Sequence, residues 1–164
     1  MAARKRRIVG RLRDDTRGSV IIEATLVIPL IVIIFAGMTE WGLAMYQYHL
    51  LSTATSESVR QLIVSRGTAT PLTYVNNAFN TWASTLGVTP SQVTVEIQDP
   101  TKANFAGWQT PACNTLTEAQ CAAQIAKAAG LPARVSVNYA CTMQFTPQFA
   151  SLCPIKITMV GLVE

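Results

Sequence analysis

One carboxylate lies inside an otherwise apolar stretch near the start of the sequence. Glu23 is the only charged residue between Ser19 and Met38, and these 20 residues are enough to cross the hydrocarbon core of a bilayer. A carboxylate at that depth costs about 3 kcal/mol at mid-membrane and less near the interface. Glu23 therefore either makes a functional contact inside the membrane or extends its side chain to the cytoplasmic face, and its position alone leaves both open.

The four cysteines are the other residues with evident chemistry. Alternating apolar residues before and after Pro147 predict an antiparallel hairpin that places Cys141 opposite Cys153. The same register makes three more apolar pairs: Tyr139 with Ile155, Val137 with Ile157, and Val135 with Met159. Of the three pairings that four cysteines allow, we predict Cys141–Cys153, worth about 3 kcal/mol, with Cys113–Cys121 as the remaining disulfide.

Residues for catalysis, metal binding or a cofactor do not assemble into any familiar pattern. His49 is the only histidine, and the cysteine spacing differs from that of zinc and redox motifs. There is no glycine-rich phosphate loop, HExxH sequence or nucleophile elbow. We therefore expect no enzyme activity, no metal and no cofactor.

Charge divides the chain into a basic head and a nearly neutral remainder. Residues 1–18 carry a net charge of +5 and the remaining residues −1, while only 13% of the chain is charged, compared with about 25% in soluble domains. A basic tail can bind nucleic acid, but one that directly precedes an apolar span holds the N-terminus in the cytoplasm. We therefore predict a single-pass protein of a bacterial inner membrane, in contact with lipid and with no specific nucleic-acid contact. Its C-terminal part would be periplasmic, where disulfides persist, or at the cell surface.

The residues around Glu23 resemble a type IV prepilin leader. A basic segment ends at Gly18, and the acid follows at the fifth position of the apolar helix. The similarity extends to about Arg60 through Leu26-Val27-x-Pro29-Leu30, Gly37-x-x-Glu40-Trp41-Gly42 and Ser56-Glu57-x-x-Arg60. Together these motifs resemble the TadE-like family, the minor pilins or pseudopilins of the tight-adherence, or Flp-type, pilus.

The resemblance implies cleavage by a prepilin peptidase between Gly18 and Ser19. The new amine at Ser19 would pair with Glu23 of a neighbouring subunit, and Glu40 is a further assembly residue close to the membrane. Pro29 either bends the helix for extraction and packing or produces a harmless kink. Expected partners are other pilin subunits, the prepilin peptidase and the inner-membrane platform that assembles the pilus, and the expected roles are surface adhesion or DNA uptake.

The elements that must carry these residues predict an α+β, pilin-like fold, with a long N-terminal helix packed on a small antiparallel sheet. We expect a leader (1–18), a transmembrane helix (19–40), an extension of that helix (41–66) and an outer α+β domain (67–164). Further helices are predicted over 71–86 and 115–129, and strands over 92–98, 134–145 and 153–159. The spacing predicts that the extension of the first helix packs through Tyr48, Leu51, Thr55, Val59 and Leu62. It predicts that the second helix packs through Leu72, Val75, Phe79, Trp82 and Leu86.

A second hypothesis is an uncleaved, membrane-anchored binding domain. Its ligand would meet Trp108 and the polar loop over 99–107, although Trp108 is more simply a packed residue. The N-terminus of the mature protein distinguishes this hypothesis from the pilin hypothesis.

Overall fold

A computed structural model describes residues 16–89, 92–101, 107–109, 111–145, 147–148 and 153–163. The basic leader therefore lies outside the described residues, apart from its last three positions. The chain divides into two compact units, Met1–Gly42 and Leu43–Glu164. The described residues form three α-helices and three β-strands, with short 3₁₀ turns.

The first helix, α1, spans Thr16–Val64 and contains Pro29. Within the first unit this helix includes a stretch, beginning at Val20, that is long and apolar enough to cross a membrane. None of the residues in that stretch is buried within the chain. A helix that is apolar on all sides is stable only where something other than water surrounds it, such as lipid or other helices.

In the second unit, α1 buries one face against the outer domain. Leu51, Thr55 and Leu62 are fully buried there, as the sequence predicts, and Ala54 and Ser58 extend the same face. The prediction that Tyr48 belongs to this face is wrong, because its side chain is 46% exposed. Gln47, one position earlier, is buried instead of Tyr48, so the buried face of α1 begins with a polar residue.

The second helix, α2, spans Pro71–Ala83 and continues as a 3₁₀ turn, Ser84–Leu86. Gly87 ends it in the left-handed conformation with φ 63°, which a residue without Cβ adopts without strain. The predicted core position of Trp82 is wrong, since its side chain is 47% exposed. The buried face passes through Val75, Phe79 and Ala83, and the large indole at its edge extends into solvent.

The strands form one antiparallel sheet of order β1-β2-β3, with β1 at Val93–Ile97, β2 at Pro132–Ala140 and β3 at Pro154–Leu162. The predicted hairpin register is confirmed, with Tyr139 opposite Ile155 and Val137 opposite Ile157. The predicted length of the second strand is wrong. β2 ends at Ala140, and Phe145 lies outside the strand with 61% of its side chain exposed.

The third helix, α3, spans only Glu118–Ala126, shorter than the predicted 115–129. Its boundaries follow local hydrogen bonding. Thr117 and Gln120 form a reciprocal capping box at its start, and Cys113–Thr115 forms a separate 3₁₀ turn. Gly130 follows the helix with φ 73°.

One hydrophobic core joins the helices of the second unit to one face of the sheet. It contains side chains from all three helices and all three strands, among them Leu62, Val75, Val95, Ile125 and Val137. Residues on the opposite face of the sheet are more exposed, so each strand alternates in burial. That face is mostly polar in β1 and β2, but at the end of β3 it includes the exposed Val160 and Leu162. This architecture confirms the predicted α+β fold with a long N-terminal helix and a small antiparallel sheet.

Candidate functional site: an exposed apolar helix and its outer unit

The first unit presents apolar side chains in every direction. Val20, Ile22, Leu26, Ile33 and Phe35 are all more than 60% exposed within the chain. Burying one such side chain is worth about 1.5–3 kcal/mol, so this surface strongly favours a bilayer or other helices as its environment.

Pro29 changes the backbone hydrogen bonding within this apolar helix. Because proline has no N–H, the carbonyl of Thr25 loses its ordinary helical donor. The Thr25 hydroxyl does not replace that donor, because it donates to the carbonyl of Ile21 at 2.7 Å. An unpaired carbonyl is costly in hydrocarbon, so this turn favours a neighbouring polar group or a local bend.

The sequence-predicted assembly residues occupy separate places on α1. Glu23 lies six residues before Pro29 and 17 before Glu40, which places the two acids about 25 Å apart along a regular helix. Glu23 is exposed and Glu40 is partly buried. Within one chain, these residues therefore form no common cluster.

Gly18 and Ser19 lie in the first turn of α1, which begins at Thr16. A peptidase that accepts an extended backbone would need this turn to unwind first. First turns of helices fray readily, and Gly18 lowers the helix propensity at this point by about 1 kcal/mol relative to Ala.

The outer unit contains the two disulfides that the sequence predicts, Cys113–Cys121 and Cys141–Cys153. Cys141 follows β2 and Cys153 precedes β3, so this disulfide closes the base of the loop that connects the two strands. The Cys141 N–H also donates to the Cys153 carbonyl at 3.1 Å.

A buried amide that sequence reasoning missed joins α1 to the same end of the hairpin. Gln47 Nε2 donates to Thr142 Oγ1 at 2.6 Å and to the Thr142 carbonyl at 3.1 Å. The Thr142 N–H donates in return to Gln47 Oε1, also at 3.1 Å. The sequence signal for this contact is Gln47 itself, a polar residue four positions before Leu51, where the apolar face of α1 begins.

A second missed contact links two helices that are distant in sequence. The Glu118 carboxylate accepts hydrogen bonds from the N–H groups of Leu72 and Thr73, at 2.9 and 2.8 Å. It also accepts one from the Thr73 hydroxyl at 2.7 Å. The first residue of α3 therefore caps the N-terminus of α2, where a negative charge is favourable.

Trp108 is packed and does not form an open platform. The Arg134 guanidinium lies over the Trp108 ring, 4.1 Å from its centre, and Arg134 Nε donates to Glu96 Oε2 at 2.6 Å. Trp108 also pairs with Gln98 beside β1. These contacts favour a structural role for Trp108. Residues 102–106 of the adjoining loop, where the second hypothesis placed a ligand, lie outside the described part.

Metal-ligating side chains do not converge anywhere in the described part of the chain, since no group of three or more His, Cys, Asp or Glu residues lies close enough to hold an ion. What the geometry offers is surface for packing: an apolar helix in the first unit, and a disulfide-bonded α+β domain in the second.

A single N-terminal apolar helix joined to a small disulfide-bonded domain defines a class of proteins with one candidate membrane anchor. Within that class, residues 18–60 match the model of the family described as TadE-like protein. The match confirms the resemblance inferred from the sequence and associates the chain with the Tad pilus. The matched segment contains Glu23, Pro29 and Glu40, ends within α1, and leaves the remainder of the outer unit unmatched. Searches of curated proteins and of solved structures gave no significant match.

Proposed function

We propose that this protein is a minor pilin, or pseudopilin, that takes part in assembling a Tad or Flp-type pilus. It acts by packing its N-terminal helix against the helices of other pilins. The observation that carries the proposal is the apolar stretch of α1 over 20–38, which is not buried within the chain and carries one carboxylate, Glu23, inside the segment that matches the TadE-like family. Members of that family are in general not enzymes, and the role proposed here requires no catalysis.

Leader cleavage prepares the helix for assembly. A prepilin peptidase cuts between Gly18 and Ser19 after the first turn of α1 unwinds. The cut removes the head with its net charge of +5, which holds the N-terminus on the cytoplasmic side. It also creates an amine at Ser19, four residues before Glu23. The inner-membrane platform then draws the shortened helix out of the lipid and into contact with other subunits.

Glu23 sets the axial register of the packed helices. In the low-dielectric interior of a helix bundle, a carboxylate is stable only when an opposite charge and hydrogen-bond donors compensate it. The Ser19 amine of the adjacent subunit supplies both. Removing one partner of such a buried pair costs about 3–5 kcal/mol, which is enough to favour one axial position strongly over its neighbours.

The test compares Glu23→Gln with Glu57→Gln in a host that assembles the pilus. Both variants lose one carboxylate, but Glu57 lies in the outer unit. We expect Glu23→Gln to lower the amount that co-isolates with other pilins by at least about tenfold, the factor that 1.4 kcal/mol produces, and Glu57→Gln to leave it unchanged. Equal recovery of wild type and Glu23→Gln would refute the register role.

The alternative is an uncleaved, single-span protein whose outer domain binds a ligand in the periplasm. In that case Glu23 would extend to the cytoplasmic interface and the basic head would stay attached. The contacts of Trp108 with Arg134 and Gln98 count against the ligand site first considered for it. We therefore place the pilin role first.

A further inference from the structure

Two aromatic side chains on α2 lie outside the core and face a groove in the outer unit. Tyr74 is 49% exposed and Trp82 is 47% exposed. They lie eight residues apart, about 12 Å along the helix. Between them, the groove is formed by Ala78 of α2 and by Glu57 and Gln61 of α1, and it is an open depression of about 500 Å³.

The groove continues past Trp82 toward the sheet. A second recess of about 320 Å³ shares Glu57 and Trp82 with the first and reaches Met159 of β3. Three small hydroxyl side chains line its α1 wall: Ser52, Thr53 and Ser56. Trp82 therefore lies between two connected recesses, with an aromatic ring available to both.

The polar groups of the groove are neutral except for one carboxylate. Gln61 Nε2 donates to Glu57 Oε1 at 3.0 Å, and the guanidinium of the exposed Arg60 lies 3.9 Å from Glu57 Oε2. Asn77 and Thr81 add an amide and a hydroxyl from α2. Such groups both donate and accept hydrogen bonds, so the groove suits a ligand rich in hydroxyl groups.

This chemistry disfavours the other common occupants. A nucleic acid requires Lys or Arg along its phosphates, and neither recess is lined by a basic residue. A docked protein helix requires an apolar interface core, from which Glu and Ser are depleted, whereas Glu57, Ser52 and Ser56 lie on the walls here. A neutral sugar chain satisfies both features, because its C–H faces stack on electron-rich aromatic rings while its hydroxyls meet the amides and hydroxyls.

We propose that this groove binds a neutral polysaccharide segment, with Trp82 and Tyr74 stacking on two separate, non-adjacent sugar rings and Glu57 accepting hydrogen bonds from sugar hydroxyls. The site goes beyond the proposed pilin role and does not depend on it, because it lies wholly in the outer unit and exists whether or not the leader is cleaved. For a protein displayed outside the cell, it would supply contact with a glycan surface.

The experiment uses the full chain in phospholipid nanodiscs, so that no sugar-headed detergent competes. Binding is measured by interferometry against a panel of neutral oligosaccharides, sulfated oligosaccharides and extended peptides. We expect binding to at least one neutral oligosaccharide, with little dependence on salt, and weaker binding to sulfated ones, because the residues that line the recesses include no basic side chain to pair with a sulfate.

The variants test the stacking directly. Trp82→Ala should weaken binding by at least about tenfold, Trp82→Phe by less, and Tyr74→Ala in the same direction as Trp82→Ala. Tyr46→Ala is the matched control, since Tyr46 is 57% exposed and lies outside both recesses, and it should leave binding unchanged. Asn77→Ala tests the polar wall without removing a large side chain and should also weaken binding.

Three results would overturn the proposal: no binding to any neutral oligosaccharide, a preference for sulfated sugars or peptides, or an equal loss of binding in Trp82→Ala and Tyr46→Ala. Unfolding temperatures of all variants are measured alongside. If Trp82→Ala lowers stability, the proposal is judged on Asn77→Ala and Tyr74→Ala: weaker binding in these variants supports it, and unchanged binding overturns it.

Discussion

Gly161 of β3 lies against side chains of α1 and leaves no room there for a Cβ. A Cβ added at this glycine would lie 2.8 Å from Val59 Cγ1 and 3.2 Å from Ile63 Cγ2, whereas ordinary contacts begin at about 3.4 Å. We therefore predict that Gly161→Ala destabilises the outer unit by separating α1 from the sheet.

The magnitude follows from two opposing effects. Overpacking a well-filled core costs about 1–3 kcal/mol, while replacing Gly by Ala inside a strand recovers about 0.5–1 kcal/mol. Taking the middle of each range, the net expectation is a loss of about 1 kcal/mol, which lowers Tm by about 4 °C if each kcal/mol shifts Tm by about 4 °C. The assay is chemical denaturation of the full chain in detergent, followed by tryptophan fluorescence.

Two further variants identify the cause. Val59→Ala removes the methyl group that the new Cβ would meet, so the double variant should be more stable than the sum of the single effects by about 1 kcal/mol. Gly42→Ala is the control, because nothing lies within 4 Å of a Cβ at that position. An unchanged free energy of unfolding in Gly161→Ala, or strictly additive effects in the double variant, would refute the packing argument.

Three other predictions concern contacts of the outer unit, each measured by the same denaturation assay. Replacing Cys141 and Cys153 together by Ser should cost about 3 kcal/mol in the chain-entropy model, and a wild type treated with reductant that is no less stable would contradict this. Glu118→Gln should cost about 1 kcal/mol, because it removes the charge that caps α2, and Glu57→Gln, which caps no helix, should cost clearly less. Thr117→Ala should cost about 1 kcal/mol through loss of the capping box of α3, and a change below 0.5 kcal/mol would argue against that cap.

The sheet was the most predictable part of the fold, for a physical reason. Alternation with period two assigns each residue of β2 and β3 to a face, and a register shift of one residue would expose the whole apolar set. Cys141 and Cys153 supplied a second, independent marker of the same register. β2 nevertheless ends earlier than the alternation predicts: its pairing with β3 stops at Ala140, opposite Pro154, and Phe145 lies beyond it.

The helices were harder to predict at their edges. Tyr48 and Trp82 have the spacing of buried residues, but each lies at the border of a helical face where a one-position rotation exposes a large ring. The contacts of Gln47 with Thr142 and of Glu118 with α2 join residues 95 and 45 or 46 positions apart. No local pattern encodes such pairs, because they depend on how finished elements pack together.

The candidate assembly residues could be located from sequence because a charge in an apolar helix is conspicuous in composition alone. The groove between α1 and α2 could not be located from the sequence. Its lining comes from three elements, and the exposure of Trp82 and Tyr74 becomes evident only when the buried face of α2 is known.

The most direct test of the pilin role is the N-terminus of the protein recovered from cells that carry a prepilin peptidase, determined by intact mass and terminal sequencing. Our account predicts a chain that begins at Ser19 with a free amine and co-isolates with other pilins. A chain that retains Met1 and its arginine-rich head, recovered without any other pilin, would contradict it.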